Sequence, residues 1–223
     1  MKHMSALGIT KTVAAYNTLI AGMLARGNLA AAVDASREME REGLRPTTAT
    51  YTLLIKGFSQ RRKLPLALQV FDNLRASGLQ PDAQLVNVVI GACAAAGETE
   101  KAQRIAWDMI KQGLRPTIHT FISLAKSYLS APAATPAGKK NLVRGCLSLL
   151  DHMREENVTP TLTFYNCVLA VMVRHGRPTD ALRIYNLMGA SGVSPDIVTF
   201  TTLMYNCAEH LLLAQVRTEA QLN

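Results

Sequence analysis

The chain has 223 residues, 48% of them hydrophobic, which is enough apolar material for a buried core. Its 14 glycines and 9 prolines exclude a low-complexity chain, and an aromatic content of 5% favours helices over sheets. The formal net charge of +8 favours a polyanionic partner, either RNA or an acidic membrane surface. No stretch comes near the roughly 18 consecutive apolar residues of a membrane span, and residues 1–12 lack the features of a signal or transit peptide.

The first predicted element, residues 1–12, resembles the end of a helix that closes a preceding repeat. The segment Met4–Ile9 matches Met39–Leu44, which lies 35 residues later at the end of an apolar-periodic segment. The chain therefore starts in the middle of a structural repeat. A stack of helical repeats needs polar capping repeats at its ends, and none is evident, so we expect a fragment or the ordered part of a longer protein.

A short phrase, with glycine or asparagine first and proline fourth, recurs along the chain. Its prolines are 35, 35, 44 and 35 residues apart. The first residue can end a helix in a left-handed conformation, the proline cannot continue that helix, and the Thr or Asp that follows can cap the next helix. The five copies are Gly43–Thr47, Gly78–Asp82, Gly113–Thr117, Asn157–Thr161 and Gly192–Asp196.

These stops divide the chain into helix–turn–helix repeats. In the first repeat the two apolar-periodic segments are Val13–Arg26 and about Leu29–Glu42, separated by Gly27-Asn28. The fourth repeat is 9 residues longer than the others, and its Pro/Ala/Gly-rich stretch at about 130–140 predicts a surface loop. The predicted repeats are 13–47, 48–82, 83–117, 118–161 and 162–196, followed by a partial sixth repeat and tail at 197–223.

Two positions of the second helix carry the same kind of side chain in most repeats. One holds a small residue that allows close helix approach, and the other holds methionine or leucine, which we interpret as core packing. One helix pair cannot bury its apolar faces alone, so the pairs must stack, and we predict an all-α, right-handed superhelical solenoid. The two sets are Ala32, Ala67, Ala102 and Ala181, and Met39, Leu74, Met109, Met153 and Met188.

Nothing in the sequence indicates an enzyme, a cofactor or a metal site. The cysteines form no C-x-x-C pair, and we interpret them as small buried thiols in a reducing compartment. The histidines lack the neighbouring ligands of a metal site, and no P-loop, zinc-protease or nucleophile-elbow motif is present. We therefore expect a non-catalytic protein. The cysteines are Cys93, Cys146, Cys167 and Cys207.

The openings of several repeats share a pattern, as in Ala15–Ile20, Thr50–Ile55 and Phe164–Leu169. With the Gly-Leu-x-Pro-Asp endings and the period of 35, they resemble P-type pentatricopeptide repeats over about nine-tenths of the chain. This resemblance implies RNA recognition by a modular code. The residues at the fifth and last positions of each repeat together choose one base, while the side chain at the second position packs against neighbouring bases.

The family's code, carried onto this sequence, assigns a pair of residues to each repeat. The second repeat resembles a guanine-selecting repeat and the fifth a uracil-selecting one, while the first and third lean towards pyrimidines. The fourth repeat should select nothing, because isoleucine has no hydrogen-bonding group. All five last residues are also good helix caps, so capping alone could explain them. The pairs are Asn17 with Thr47, Thr52 with Asp82, Asn87 with Thr117, Ile122 with Thr161, and Asn166 with Asp196.

Three further residues are candidates for RNA contact by the same resemblance. Thr201 is the fifth residue of the unfinished sixth repeat, and Val198 matches the family's usual valine at the packing position. Arg174 lies near the end of a first helix, where the family often carries a lysine that can meet phosphate.

Two functions stay open at this point. One is a non-catalytic RNA-binding protein of organellar gene expression that contacts single-stranded or ribosomal RNA. The other is a structural subunit of a mitochondrial ribosome or a similar ribonucleoprotein, which serves translation through contacts with proteins and with the rRNA backbone. The resemblance implies a mitochondrial location, with the plastid as the alternative.

Overall fold

The computed structural model describes residues 11–132 and 135–204, and every regular element within these ranges is a helix. Ten helices form five helical hairpins, one in each predicted repeat, and a further helical segment starts at 197. The predicted all-α solenoid is confirmed, while residues 1–10 of the predicted first element and residues 205–223 of the predicted sixth repeat and tail lie outside the described residues. The helices are α1 Val13–Ala25, α2 Leu29–Arg41, α3 Thr48–Gln60, α4 Leu64–Ala76, α5 Ala83–Ala95, α6 Thr99–Lys111, α7 Ile118–Ser130, α8 Pro136–Glu155, α9 Leu162–Arg174 and α10 Pro178–Ala190.

Four of the five first helices start after a residue that supplies a cap. Thr12 and Asp82 accept a hydrogen bond from the backbone N–H three residues later, at 3.2 and 2.7 Å. Thr47 instead forms a capping box with Thr50, and an equivalent box opens α7. The last position of a repeat is therefore a capping position in most repeats, although Thr161 makes no side-chain capping bond to α9.

The turn between the two helices of a repeat needs a residue with left-handed backbone. Gly27, Gly97 and Gly176 occupy this turn with φ of 77°, 74° and 68°. In the second repeat Arg62 takes the same position with φ of 55°, which is uncommon for a residue with a side chain. Packing of the hairpin thus imposes the turn even where the sequence offers no glycine.

The predicted loop at about 130–140 is shorter in the structure than expected. The second helix of the fourth repeat, α8, already begins at Pro136, so the last part of this stretch is helical. Thr135 caps the helix by accepting a hydrogen bond from Gly138 N at 3.1 Å. Proline fits the first turn because its missing N–H would have no partner there. The insertion therefore mainly lengthens α8 to 20 residues, against 13 in α7.

The helices form two layers of different packing. The first helices α1, α3, α5, α7 and α9 each contact the next one in the series and form one continuous layer. Each second helix packs against the first helix of its own repeat, and α2, α4, α6 and α8 also contact that of the next repeat. Within the described ranges no second helix contacts another second helix. Because successive first helices contact each other and successive second helices do not, the stack curves with the first helices on its inner side. We call this side the inner layer.

The two recurring second-helix positions lie in the centre of the core. The four alanines are 0% exposed, and the methionine or leucine side chains are at most 1% exposed. In the fourth repeat Cys146 fills the small position, because it precedes Met153 by the same seven residues that separate Ala32 from Met39. The interpretation of the methionines as core packing is confirmed.

The three described cysteines are free thiols. Burial raises the pKa of Cys93 to about 11, and it also raises the pKa values of Cys146 and Cys167. A thiol with a raised pKa is a poor nucleophile and a poor metal ligand at neutral pH. These side chains therefore serve packing, as the sequence indicates, while Cys207 lies outside the described residues.

His175, the residue that follows α9, is a buried titratable group. Its side chain is 8% exposed, and its Nε2 has no hydrogen-bond partner in the part of the chain that the structure describes. Burial lowers the pKa of His175; the backbone of Tyr128 opposes this shift, while the charges of Arg174 and Lys139 add to it. The folded protein therefore holds this histidine neutral at neutral pH.

A pH dependence of stability follows from His175. The unfolded chain takes up the proton near pH 6.5, its ordinary pKa, and the folded chain does so only at lower pH. We expect the free energy of unfolding to fall as the pH decreases below about 6.5 and to level off below the folded-state pKa. Urea unfolding between about pH 5 and 8 measures this. His175→Gln should remove the dependence, whereas His119→Gln, at an exposed site, should retain it; the same slope in both variants contradicts the prediction.

Candidate nucleic-acid interface

The fifth residues of the repeats lie together on the inner layer. Asn17, Thr52, Asn87, Ile122 and Asn166 are all half-buried, so part of each side chain faces solvent. The last residue of each repeat directly precedes the following first helix, and all of them except Thr161 cap it. Among these last residues Thr47, Asp82, Thr117 and Thr161 are exposed, and Asp196 is half-buried.

Three asparagines share one arrangement with the repeat that follows them. The side-chain oxygen of each lies within hydrogen-bond distance of the hydroxyl of a threonine, the third residue of the next repeat. These threonines are at most 1% exposed, so the bonds are sheltered from water. We call each such pair an amide clamp. The oxygen–oxygen distances are 2.8 Å in Asn17–Thr50, 2.6 Å in Asn87–Thr120 and 2.7 Å in Asn166–Thr199.

The direction of the hydrogen bond in a clamp follows from helix capping. The backbone N–H of Thr47 donates to Thr50 Oγ1 at 3.2 Å, and a backbone N–H can only donate. The hydroxyl proton of Thr50 is then available for the carbonyl oxygen of Asn17. The other two clamps have the same pair of contacts. Each amide is therefore oriented with its oxygen towards the threonine, which leaves the two N–H donors of its NH₂ group for other acceptors.

Two of the predicted fifth-and-last pairs meet directly. Asn166 Nδ2 donates to Asp196 Oδ1 at 3.1 Å, and Asn87 Nδ2 lies 3.4 Å from Thr117 Oγ1. The first-repeat pair is linked only through Thr50, which contacts both of its members. The last residue thus helps to aim the amide in the third and fifth repeats, in addition to capping a helix.

Asp196 carries a negative charge beside the third clamp. Hydrogen bonds from the backbone and side chain of Thr199, and a further one from Asn166, hold the pKa of Asp196 below its ordinary value of 3.8. Thr199 Oγ1 lies 2.8 Å from this carboxylate and 2.7 Å from the Asn166 oxygen, so its one proton can serve only one of them at a time. The fifth repeat therefore has the most polar clamp of the three.

The second and fourth repeats have no clamp. Thr52 Oγ1 donates at 2.8 Å to the carbonyl of Thr48 in its own helix, and Ile122 has no hydrogen-bonding group. The residues that replace the clamping threonines are Leu85 and Phe164, both 0% exposed. The structure joins neither predicted pair by a hydrogen bond within the described ranges. Clamps consequently occur in every other repeat.

The remaining predicted contacts lie at the C-terminal end of the described stack. Val198 is 51% exposed on the helical segment that starts at 197. Thr201 is exposed, and its hydroxyl donates to the Ile197 carbonyl at 2.9 Å, as Thr52 does within its own helix. Arg174 is exposed at the last residue of α9.

Charge is unequally divided between the two layers. The five first helices contain no acidic residue, and their cations are Lys56, Lys126 and Arg174, all exposed. The acidic residues of the described ranges lie in the second helices and the turns, together with most of the cations, and several form ion pairs there, as in Arg177–Asp180. The first helices therefore present a few cations with no acidic residue in the same helix, which suits a polyanion.

Sequence reasoning missed the clamping threonines and the two inner-layer lysines. A signal was present, since threonine is the third residue of the second, fourth and sixth repeats, and lysine is the ninth residue of the second and fourth. The recurrence of these threonines and lysines cannot be interpreted without knowing how the helices pack. Only the stacked helices show that the third residue of one repeat lies beside the fifth residue of the repeat before it.

No metal site or membrane span is found in the described ranges. They contain no group of three or more His, Cys, Asp or Glu side chains placed to hold a metal ion. None of the helices described there combines the length and the apolar composition needed to cross a bilayer.

Known proteins match this chain along most of its length. The family described as the PPR repeat family matches residues 11–60 and 161–209, and the one described as the pentatricopeptide repeat domain matches residues 36–95, 69–129 and 134–175. A pentatricopeptide repeat-containing protein of Arabidopsis thaliana is 28% identical over 137 residues, which are 60% of this chain and 24% of that protein. Another, described as chloroplastic, is 26% identical over 121 residues, 54% of this chain and 15% of that protein.

Solved structures show the same fold. The crystal structure of the pentatricopeptide repeat protein PPR10 from maize has a TM-score of 0.76 and 23% identity, and the match covers 98% of this chain and 31% of that one. The PPR domain of Arabidopsis thaliana protein-only RNase P 1, solved in complex with tRNA, has a TM-score of 0.68 and 13% identity, and the match covers 86% and 96% of the two chains. The chain spans less than a quarter of the length of the curated relatives named above.

Proposed function

This chain belongs to the pentatricopeptide repeat family, and from that premise we propose that it is an RNA-binding helical-repeat protein whose inner layer contacts single-stranded RNA. The observation that carries the proposal is the amide clamp. A buried threonine fixes the orientation of each clamped asparagine before any ligand arrives, and the fixed NH₂ group can donate to an acceptor atom on the edge of a base. The RNA complex of the RNase P relative supports the same ligand class.

The clamps also indicate which repeats select a base. The proposal assigns base selection to the first, third and fifth repeats, where Asn17, Asn87 and Asn166 are held. By the family's code the fifth repeat prefers uracil, through Asn166 with Asp196, and the other two prefer pyrimidines. An oriented NH₂ donor is compatible with this preference, because the carbonyl oxygens of pyrimidines can accept a hydrogen bond from it. Thr52 with Asp82, the guanine-like pair, remains a candidate without a clamp.

A triple replacement of Asn17, Asn87 and Asn166 by alanine tests the proposal. A preferred RNA is first selected from a random single-stranded pool with the unmodified chain, and binding is then measured by fluorescence anisotropy. Each lost hydrogen bond is worth about 0.5–1.5 kcal/mol, so the preference for the selected RNA over a scrambled one should fall by roughly tenfold to a thousandfold.

The matched control removes three asparagines from the outer surface. Asn73, Asn141 and Asn186 are exposed on α4, α8 and α10, and their replacement by alanine should leave the preference unchanged. If the inner-layer variant keeps the full preference, base selection by clamps is wrong. If the unmodified chain binds no single-stranded RNA, the proposed function itself fails.

A structural role in a ribonucleoprotein is the second candidate. The observation that favours it is the absence of a clamp in the second repeat, where Thr52 bonds within its own helix, and in the fourth, where Ile122 has no hydrogen-bonding group. A subunit of an organellar ribosome needs few base-selecting groups, because it holds rRNA by its backbone and shape. Such a subunit should sediment with ribosomal particles through high salt, whereas sedimentation as free protein would count against it.

We also propose an organellar location and a role without catalysis. A chloroplastic relative and the family membership support a mitochondrial or plastid site, and imaging of the tagged parent protein tests this. The raised pKa values of the three described thiols argue against catalysis by a cysteine nucleophile. Incubation of the purified chain with labelled RNA, followed by gel analysis, should show no cleavage.

A further inference from the structure

Lysines and amide clamps alternate along the inner layer. Lys56 and Lys126 are the ninth residues of the second and fourth repeats, four residues after Thr52 and Ile122. Residues four apart share one face of a helix, so each lysine lies beside a fifth residue that is not clamped. In the clamp-bearing repeats the ninth residue is small. These small residues are Ala21, Gly91 and Ala170.

Both lysines are available to an external anion. Each is exposed, and neither forms a salt bridge with an acidic residue in the described part of the chain. The first helices around them carry no acidic group at all. Their charge is therefore not neutralised within the inner layer, in contrast to Lys11, which pairs with Glu42 at the edge of the stack.

We propose that Lys56 and Lys126 each hold a backbone phosphate of RNA bound to the inner layer, so that base-selecting and phosphate-holding repeats alternate. The proposal rests on the proposed function, that single-stranded RNA lies along the first helices. A lysine ammonium is a compact charge with three donors and suits a phosphate group. The small ninth residues of the clamp-bearing repeats leave space where a base can approach the oriented amide. With one nucleotide per repeat, the phosphates held are two nucleotides apart.

The double variant Lys56→Gln/Lys126→Gln tests the proposal through the salt dependence of binding. For single strands the slope of log K against log salt is about 0.7 per neutralised phosphate, so we expect its magnitude to fall by about 1.4. Affinity should fall to a similar extent for preferred and scrambled RNA, because phosphates carry no sequence information. The preference ratio should therefore stay within about twofold, the opposite of the result expected for the asparagine variant.

The control variant Lys111→Gln/Lys140→Gln removes the same charge from α6 and α8, where both lysines are exposed. It should change the slope much less. A second measurement places one uncharged methylphosphonate linkage at each position of the preferred RNA in turn. We expect the unmodified chain to bind more weakly when either of two linkages, two nucleotides apart, is neutralised, and the inner-layer double variant to be insensitive at those linkages.

The outcomes separate this inference from the function on which it rests. If the Lys56→Gln/Lys126→Gln variant binds RNA with an unchanged salt slope, or if the slope of the control variant falls by as much, the inference is wrong and RNA binding stays in place. The inference is also wrong if the two linkages whose neutralisation weakens binding are adjacent, or if their neutralisation still weakens binding by the double variant. A complete absence of RNA binding by the unmodified chain overturns both.

Discussion

Replacement of Phe121 by alanine is expected to lower the free energy of unfolding by about 3–5 kcal/mol, the usual cost of deleting a buried aromatic ring. Phe121 is 0% exposed in α7, which packs between α5 and α9 in the inner layer. The loss would remove a large share of the stability of an ordinary domain, about 5–15 kcal/mol. Urea unfolding followed by circular dichroism measures it.

The damage should be local, because a repeat contacts mainly its neighbours. Hydrogen exchange should accelerate most in α5, α7 and α9, and least in α1. The control is His119→Ala on the exposed side of the same helix, which should change stability by no more than about 0.5 kcal/mol. An equal loss in both variants, or uniform acceleration along the whole stack, would contradict the prediction.

Replacement of Thr50, Thr120 and Thr199 by valine is expected to affect both stability and base preference. Valine keeps the shape but removes the hydroxyl, so the N–H of each capping residue loses its acceptor, at about 0.5–1.5 kcal/mol per hydrogen bond. The asparagine amides also lose the donor that fixes their orientation. We therefore expect the preference for selected over scrambled RNA to fall by roughly tenfold, as measured by anisotropy.

Serine at the same three positions provides the matched control, because it restores the hydroxyl without the methyl group. Most of the base preference should return, even if some stability lost with the methyl group does not. A valine variant with full preference would show that the clamps do not orient the amides. A serine variant as poor as the valine variant would show that packing by the methyl group matters more than the hydrogen bond.

The architecture was predictable from the sequence because local signals repeat in register. The Gly-x-x-Pro stops, the buried alanines such as Ala67 and the methionine stripe all recur at a spacing of 35, so each copy supports the others. A feature present only once was harder to interpret. The Pro/Ala/Gly-rich stretch before α8 suggested a loop, although Thr135 and Pro136 together form a good helix start.

The candidate site was predictable only as far as single repeats allow. The fifth and last positions follow from a family pattern written along one repeat, and the structure places Asn166 beside Asp196 accordingly. The clamps join residues 33 apart in sequence, as in Asn87 with Thr120, across a boundary between repeats. Such a contact depends on how the first helices pack, and no local pattern within one repeat encodes it.

The clamp has a consequence for how these repeats can be exchanged. Thr50 belongs to the second repeat and orients Asn17 of the first. The segment needed for an oriented amide is therefore longer than the sequence repeat 13–47. A graft cut at 47 would carry the amide that we propose selects a base and would leave behind the hydroxyl that orients it. A graft that runs from 13 through 50 would transfer both parts. If the proposed function holds, specificity in this stack depends on the boundaries between repeats, and engineered arrays should keep each boundary intact.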